Sequence, residues 1–160
     1  MRKTWNEYFM DVAELVSTRS TCDRLHVGAV IVQDKNIIAT GYNGSPKGMP
    51  HCDEVGHEME NGHCVRTTHA EQNALIQAAK HGHKTNESTL YITHSPCYTC
   101  AKLIITAGIK NVYFKNLFRE SKGIDLLTKS NVYWELVGNE KNQPQKNSHQ
   151  THKQKHYNKQ

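Results

Sequence analysis

The sequence lacks any long hydrophobic run. No stretch of its 160 residues approaches the roughly 20 consecutive apolar residues that a membrane-spanning helix requires. The apolar pattern near the N-terminus is interrupted by Glu7, Asp11 and Glu14, a distribution that differs from secretory signals and transit peptides. We therefore expect a cytosolic protein that makes no membrane contact.

The sequence has few cysteines, and their number is odd. Five cysteines cannot all pair internally, and a reducing compartment disfavours a disulfide framework. We therefore interpret them as metal ligands or free thiols.

The main part of the chain also lacks a strong charge of one sign. Residues 138–160 contain five Lys and one Glu, which leaves about +1 of the net charge of +5 for the other 137 residues. A nearly neutral folded part argues against a nucleic-acid-binding surface. The segment 138–160 has Tyr157 as its one large apolar residue, so we predict a disordered basic tail after a single domain over 1–137.

Hydrophobic periodicity predicts alternating helices and strands. Thr4 and Glu7 form a capping-box pattern before apolar residues at helical spacing, which predicts a first helix from Trp5 to Val16. The next predicted elements are strands over 25–32 and 37–42, a long loop over 43–67, a helix over 69–81, a strand over 89–94, a helix over 97–107, a strand over 111–116, a short helix at about 119–129 and a last strand over 131–137. A hairpin followed by β-α alternation indicates a mixed sheet with helices on both faces. A loop as long as 43–67 is typical of a functional segment.

The stretch SPCYTC places Cys97 and Cys100 on one face at the start of a predicted helix. The free N–H groups and the helix dipole favour thiolates there. Alone, the C-x-x-C spacing is ambiguous, because it is found in redox pairs, in structural zinc knuckles and in catalytic zinc sites.

Upstream, His69 and Glu71 also open a predicted helix. The 24 residues between Glu71 and Pro96 accommodate one helix and one strand, so both helix starts can meet at the same edge of the sheet. One His and two Cys provide three zinc ligands and leave a fourth position open, as catalytic zinc sites do. Glu71 is then a proton carrier beside the metal instead of a ligand.

His69-Ala70-Glu71 followed by Pro96-Cys97-Tyr98-Thr99-Cys100 resembles the H-x-E and P-C-x-x-C signature of the zinc-dependent cytidine deaminase superfamily. The stretches TCDRLHVGAVIV, IIATGYNGSPKG, CVRTTHAEQNAL and LYITHSPCYTCAKLIITAGIKNVYF together resemble the deoxycytidylate (dCMP) deaminases, including a bacterial branch described by late-competence operons. This resemblance covers roughly residues 5–137. It implies a three-layer α/β/α cytidine-deaminase-like fold with a five-stranded mixed sheet.

The resemblance also implies a reaction, in which dCMP is hydrolysed to dUMP and ammonia and so supplies dUMP for thymidylate synthesis. Glu71 would move protons between water, N3 of cytosine and the leaving amine. Asn43 and Ser45 would meet the deoxyribose and phosphate side, although Asn-Gly-Ser-Pro is also ordinary turn chemistry. Ala70 and the backbone near Ser95 are further substrate-binding candidates.

The sequence leaves the phosphate-binding cation open. The candidates for binding the phosphate or an effector are Arg24, Gly44, Lys47, Arg66, Arg119 and Lys122.

A second zinc site is predicted from the remaining cysteines. Cys22, Cys52 and Cys64 could form a tetrahedral site with His57, and His51 or His63 are further candidate ligands. Some dCMP deaminases carry a structural zinc with cysteine ligands matching Cys22 and Cys52. The other interpretation is a set of ordinary buried or free thiols. Zinc is favoured because a long loop with little apolar content needs a cross-link to hold it.

Regulation follows from the resemblance alone. Relatives are hexamers that dCTP activates, with Mg2+, and dTTP inhibits, at a site between subunits near the GYNG stretch. The competing hypotheses are a deaminase acting on a polynucleotide, a deaminase of free nucleosides, and a non-catalytic zinc scaffold linked to competence.

Overall fold

A computed structural model describes residues 1–138 of the chain. The predicted disordered tail lies outside the described residues except for Gly138. Among the described residues, no helix has both the length and the apolar character needed to cross a membrane.

The centre of the molecule is a five-stranded mixed sheet. Its strands are β1 (Gly28–Gln33), β2 (Asn36–Tyr42), β5 (Thr89–His94), β6 (Asn111–Asn116) and β7 (Tyr133–Leu136), in the order β2-β1-β5-β6-β7. The first two pairings, β2 with β1 and β1 with β5, are antiparallel, whereas β5, β6 and β7 run parallel. The remaining elements are the helices α1 (Trp5–Ser17), α2 (Cys52–Val55), α3 (Ala70–Lys80), α4 (Tyr98–Thr106) and α5 (Lys122–Lys129), and the small hairpin β3 (Met59–Glu60) and β4 (His63–Cys64).

Helices cover both faces of this sheet. On one face, α1 packs Phe9 and Ala13 against Val30 and Tyr91. The opposite face carries the larger apolar core, to which α3, α4 and α5 contribute. The predicted three-layer α/β/α architecture with a five-stranded mixed sheet is therefore confirmed.

Local signals determine where several elements begin. Thr4 caps α1 as predicted, since its backbone N–H donates to Glu7 Oε2 at 2.7 Å and its Oγ1 accepts the Glu7 N–H at 3.3 Å. Strands β5 and β6 have the predicted bounds. The predicted helices over 69–81 and 97–107 each include the capping residues that flank α3 and α4.

Four sequence-based predictions of element bounds are wrong. The first strand begins at Gly28 and not at Leu25, because the Asn43 side chain binds the Leu25 carbonyl and the Val27 N–H in place of a neighbouring strand. The segment 43–67 is not an unbroken loop but contains α2, β3 and β4. Helix α5 begins three residues later than predicted and the last strand is shorter, spanning Tyr133–Leu136.

A close approach between β2 and α3 holds the start of α3 in place. A Cβ on Gly41 would lie 2.3 Å from both the Ala70 carbonyl oxygen and the Ala74 nitrogen, so this strand position requires glycine. The Asn73 side chain adds a hydrogen bond of 2.8 Å to the Tyr42 carbonyl. The first turn of α3 is therefore fixed against the sheet.

Candidate active site

Three potential metal ligands converge where α3 and α4 begin. His69 Nδ1 lies 3.6 Å from Cys97 Sγ and 3.4 Å from Cys100 Sγ, and all three ligand atoms lie within 4.8 Å of one another. A tetrahedral zinc ion with one nitrogen and two sulfur ligands separates a nitrogen from a sulfur by roughly 3.6 Å. The donor types and their spacing therefore fit zinc with one coordination position left for another ligand.

The two helix starts produce this geometry. His69 is the residue before α3, and its backbone N–H donates to the Gln72 side chain at 2.9 Å. Cys97 caps α4, where its Sγ accepts the Cys100 N–H at 3.5 Å. Both positions are extended in backbone conformation, so their side chains project beyond the helix ends and can meet.

The two thiols differ in their proton affinity. Hydrogen bonding from Cys100 lowers the pKa of Cys97 to about 4, with a further contribution from His69. The same interaction, together with burial, raises the pKa of Cys100. His69, in contact with Cys97, has a raised pKa. A thiolate is thus favoured at Cys97, which is the form that binds metal.

Glu71 lies in the first turn of α3 and is 5% exposed. Burial raises its pKa to about 7, and the nearby His69 opposes that rise. A carboxyl group that titrates near neutral pH can both accept and donate a proton. Glu71 is therefore suited to proton transfer beside the three potential ligands.

His69, Glu71 and Cys97 line a cavity of about 600 Å³ at the carboxyl ends of β5 and β6. Crevices at this edge of an α/β sheet are usual ligand-binding positions. Among the candidates predicted from the sequence, the cavity is lined by Cys22, Arg24, Asn43, His63, Cys64, His69, Ala70, Glu71, Ser95, Cys97 and Arg119. Leu117 and Phe118, which sequence reasoning missed, add apolar wall from the segment after β6.

Two of the predicted substrate contacts have structural partners of their own. Asn43 Oδ1 accepts the Val27 N–H at 2.8 Å, and its Nδ2 donates to the Leu25 carbonyl at 2.7 Å. Ser95 Oγ accepts the Phe118 N–H at 2.7 Å. Both residues therefore shape the cavity wall, and any contact with a ligand would add to these hydrogen bonds.

Gly44, Ser45 and Lys47 line a different cavity, of about 690 Å³, beside β2 and α3. The buried hydroxyl of Ser45 has no hydrogen-bond partner within the part of the chain that the structure describes. Gly44 exchanges backbone hydrogen bonds with Thr68, which joins the GYNG stretch to the residue before His69. The structure therefore brings Ser45 near the segment that precedes α3 but not into the cavity of Glu71.

The candidate phosphate-binding cations lie in different parts of the structure. Arg24 and Arg119 line the cavity of Glu71. Arg24 also donates to the Gly62 carbonyl at 3.3 Å, whereas among residues 1–138 no hydrogen bond or ion pair involves the Arg119 side chain. Arg66 instead donates to the Gly56 carbonyl at 3.0 Å. Lys122 is the first residue of α5.

The remaining cysteines form a second cluster with His57. Cys52 Sγ lies 3.6 Å from Cys64 Sγ, Cys22 Sγ lies 3.6 Å from His57 Nδ1, and the four ligand atoms lie within 4.8 Å of one another. Neither His51 nor His63 belongs to this group. Four ligands close a tetrahedral site, which is the arrangement of structural zinc.

Sequence reasoning missed Asp23, which supports the second cluster. Its Oδ1 lies 3.1 Å from His57 Nε2, so the carboxylate orients the ring with Nδ1 towards the cysteines. The available signal was an acidic residue directly beside Cys22. His94, which lines the cavity of Glu71, was also missed, although it stands three residues before Cys97.

Comparisons with known proteins identify the family to which the chain belongs. Residues 3–116 match the family model described as the cytidine and deoxycytidylate deaminase zinc-binding region. The chain is 53% identical over 113 residues to ComE operon protein 2 of Bacillus subtilis, covering 71% of this chain and 60% of that protein. It is 39% identical over 127 residues to the deoxycytidylate deaminase of Saccharomyces cerevisiae, covering 74% of this chain and 40% of that protein. It thus spans less than two thirds of the length of these two relatives.

A solved structure shows the same fold. The dCMP deaminase of cyanophage S-TIM5, crystallised with dCMP and dUMP, matches with a TM-score of 0.77 and 41% sequence identity. The match covers 86% of this chain and 99% of the phage protein. At this identity the likeness extends beyond the fold to the sequence.

Proposed function

The chain belongs to the cytidine and deoxycytidylate deaminase family, and on this premise we propose that it hydrolyses dCMP to dUMP and ammonia. The family predicted from the sequence is confirmed. The observation that carries the proposal is the convergence of His69, Cys97 and Cys100 beside the buried Glu71, at a cavity that His69, Glu71 and Cys97 line. A non-catalytic scaffold would need no buried carboxyl group that titrates near neutral pH there.

We propose that His69, Cys97 and Cys100 hold a zinc ion. When bound, zinc acts as a Lewis acid that makes a water molecule acidic near neutral pH. The helix dipoles at the starts of α3 and α4 favour the thiolate form of the ligands. The dipole at the start of α3 also favours a negative charge on Glu71.

Glu71 moves the protons of the reaction. Its carboxylate accepts a proton from the attacking water and delivers it to N3 of the cytosine ring, while a bond forms between the water oxygen and C4. Glu71 then carries the second water proton to the exocyclic nitrogen, the bond from C4 to that nitrogen breaks, and ammonia leaves. The residue returns to its starting state, so the atoms and protons balance with one water consumed.

Other cavity residues position the nucleotide. Ala70 and the Ser95 backbone lie beside the reacting end, and no hydrogen bond within residues 1–138 uses the Ser95 carbonyl, which can accept one from the exocyclic amine. Asn43 lies at the sugar side. Two cations are available for the phosphate, and Arg119 is the stronger candidate because Arg24 already binds Gly62.

The second cluster, of Cys22, Cys52, His57 and Cys64, is proposed to hold a structural zinc. A closed set of four ligands has no position for a substrate, so its effect is to fix the segment 43–67. That segment contains only short elements, and a metal cross-link would stabilise it.

The second cavity supports a regulatory proposal. Gly44, Ser45 and Lys47 line it, and the family resemblance puts an effector site near the GYNG stretch. We extend the proposal to activation by dCTP with Mg2+, inhibition by dTTP, a hexameric assembly and a cytoplasmic role in supplying dUMP for thymidylate synthesis. A ratio of activities with and without dCTP, and the mass of the assembly in solution, test these points.

The first experiment follows the loss of cytosine absorbance with dCMP, CMP and deoxycytidine in parallel, with and without dCTP and Mg2+. We expect turnover of dCMP well above deoxycytidine, because a cation in the cavity binds the phosphate. A zinc-loaded protein that converts none of the three, or that prefers a cytosine in single-stranded DNA or RNA, would contradict the proposal.

A further inference from the structure

His94 is the histidine of the active-site cavity that the proposed chemistry leaves unused. It is the last residue of β5, and side chains alternate between the two faces of a strand, so it shares a face with Leu90 and Ile92. Both of those residues belong to the core beneath α3 and α4. His94 therefore lies on the side of the sheet where the two helix starts meet, and it lines the same cavity as Glu71.

A hydrogen-bond relay sets the tautomer of His94. Thr93 Oγ1 is buried, accepts the Gly28 N–H at 3.2 Å and lies 2.9 Å from His94 Nδ1. The hydroxyl proton has no other acceptor within the described residues, so we assign it as donated to Nδ1. Nδ1 is then the acceptor, and the ring carries its own proton on Nε2.

The surroundings of His94 also favour the uncharged ring. Burial lowers the pKa of His94 below its usual value. Within residues 1–138, Nε2 has no hydrogen-bond partner. With this assignment, Nε2 is a neutral N–H donor at the cavity that has no acceptor within the described chain.

We propose that His94 Nε2 donates a hydrogen bond to a phosphate oxygen or to the 3′ oxygen of the bound nucleotide, and that this contact sets part of the substrate affinity. The inference rests on the proposed function. Under the proposed function, Glu71 and the backbone of Ala70 and Ser95 meet the polar atoms of the base, which leaves the phosphate and the 3′ oxygen as acceptors. A neutral donor complements the charge of Arg119, because its hydrogen bond constrains the orientation of the ligand without adding a second positive charge.

Two substitutions separate the donor from the rest of the side chain. In His94→Gln the amide reaches as far from the backbone as Nε2, so a donor remains. In His94→Asn the amide ends at the level of Nδ1, so contact with Thr93 is kept and the donor to the cavity is lost. We expect kcat/KM for dCMP to fall about tenfold in His94→Asn, mainly through KM, and to stay within about threefold of the unsubstituted protein in His94→Gln.

Three substrates identify the acceptor. If the phosphate accepts the hydrogen bond, the loss in His94→Asn disappears with deoxycytidine, which has no phosphate. If the 3′ oxygen accepts it, the loss persists with deoxycytidine and disappears with 2′,3′-dideoxycytidine monophosphate. Equal losses with all three substrates, or equal losses in both variants, would overturn the inference.

A measurement on the unsubstituted, zinc-loaded protein is independent of how the variants fold. Nitrogen NMR of labelled histidine should show a proton on His94 Nε2 and none on Nδ1 at pH 7.5, and saturating dUMP should shift that proton signal. A proton on Nδ1, or an unchanged signal at saturation, would overturn the inference. If dUMP shifts the signal but dCMP is not converted, the proposed function fails while the His94 contact stands.

Discussion

Replacing Glu71 with glutamine tests the proposed chemistry most directly. The side chain is buried in the first turn of α3, and burial raises its pKa from 4.5 to about 7, which corresponds to about 3 kcal/mol against the ionised form. Glutamine keeps the shape and a hydrogen-bonding end but cannot accept the proton. We therefore expect kcat for dCMP to fall at least about 1000-fold while the zinc content stays the same.

The same substitution should leave the fold intact or stabilise it. A carboxyl group whose pKa is raised on folding reduces the free energy of unfolding as the pH rises from 4.5 through about 7, and the full loss is present above that pH. In chelator-treated protein at pH 8, Glu71→Gln should gain up to about 3 kcal/mol, and less with zinc bound because the cation favours the carboxylate.

The assay combines deamination kinetics, zinc content and urea unfolding. Glu87→Gln is the matched control, because Glu87 has an exposed side chain paired with Lys110 away from the cavity, and we expect unchanged kinetics there. More than about a tenth of the original kcat in Glu71→Gln would refute the proton-transfer role. A loss of zinc in that variant would instead make Glu71 a ligand.

Four further predictions follow. Gly41→Ala would bring a methyl group within 2.3 Å of the α3 backbone, so the free energy of unfolding should fall by about 1–3 kcal/mol and zinc affinity at His69 should weaken; a fully stable variant with unchanged affinity would contradict the close approach. Cys52→Ser should lower the bound zinc from two ions to one per chain and lower the melting temperature, as measured by metal analysis and calorimetry, and two retained ions would exclude the second site. Arg119→Met should raise KM for dCMP about tenfold and leave deoxycytidine unaffected, whereas equal effects on both would exclude a phosphate contact. Because burial lowers the pKa of His94, the unfolded chain takes up that proton first as the pH falls through about 6.5, so His94→Gln should lose less stability than the unsubstituted protein between pH 7 and 5.

Most of the fold could be predicted because its signals are local. The capping box at Thr4, and the apolar runs of β5 and β6, are complete within a few residues of sequence. The start of β1 could not be predicted, because it depends on Asn43, which lies 18 residues after Leu25 and replaces a strand partner with a side chain. The backbone of 25–27 is apolar enough to read as a strand, and only the folded structure shows where its hydrogen bonds go.

The candidate site, too, could be predicted only in part from the sequence. The meeting of His69, Glu71, Cys97 and Cys100 could be predicted from their spacing. Both motifs occupy helix starts that a crossover brings to one edge of the sheet. The choice among the candidate cations could not be made, since it depends on which side chains have partners elsewhere. His94 was missed because nothing in its sequence context shows that Thr93 fixes its tautomer.

The two cysteine clusters are not independent of one another. Cys22 and Cys64 belong to the second cluster and also line the cavity of Glu71. Arg24, two residues after Cys22, holds the turn of the β3–β4 hairpin by donating to Gly62, and both of these residues line that cavity as well. A metal ion bound at the second cluster would therefore also fix one wall of the cavity of Glu71. Loss of that ion should raise KM for dCMP before it lowers kcat, because His69, Glu71 and Cys97 are held by α3 and α4 instead.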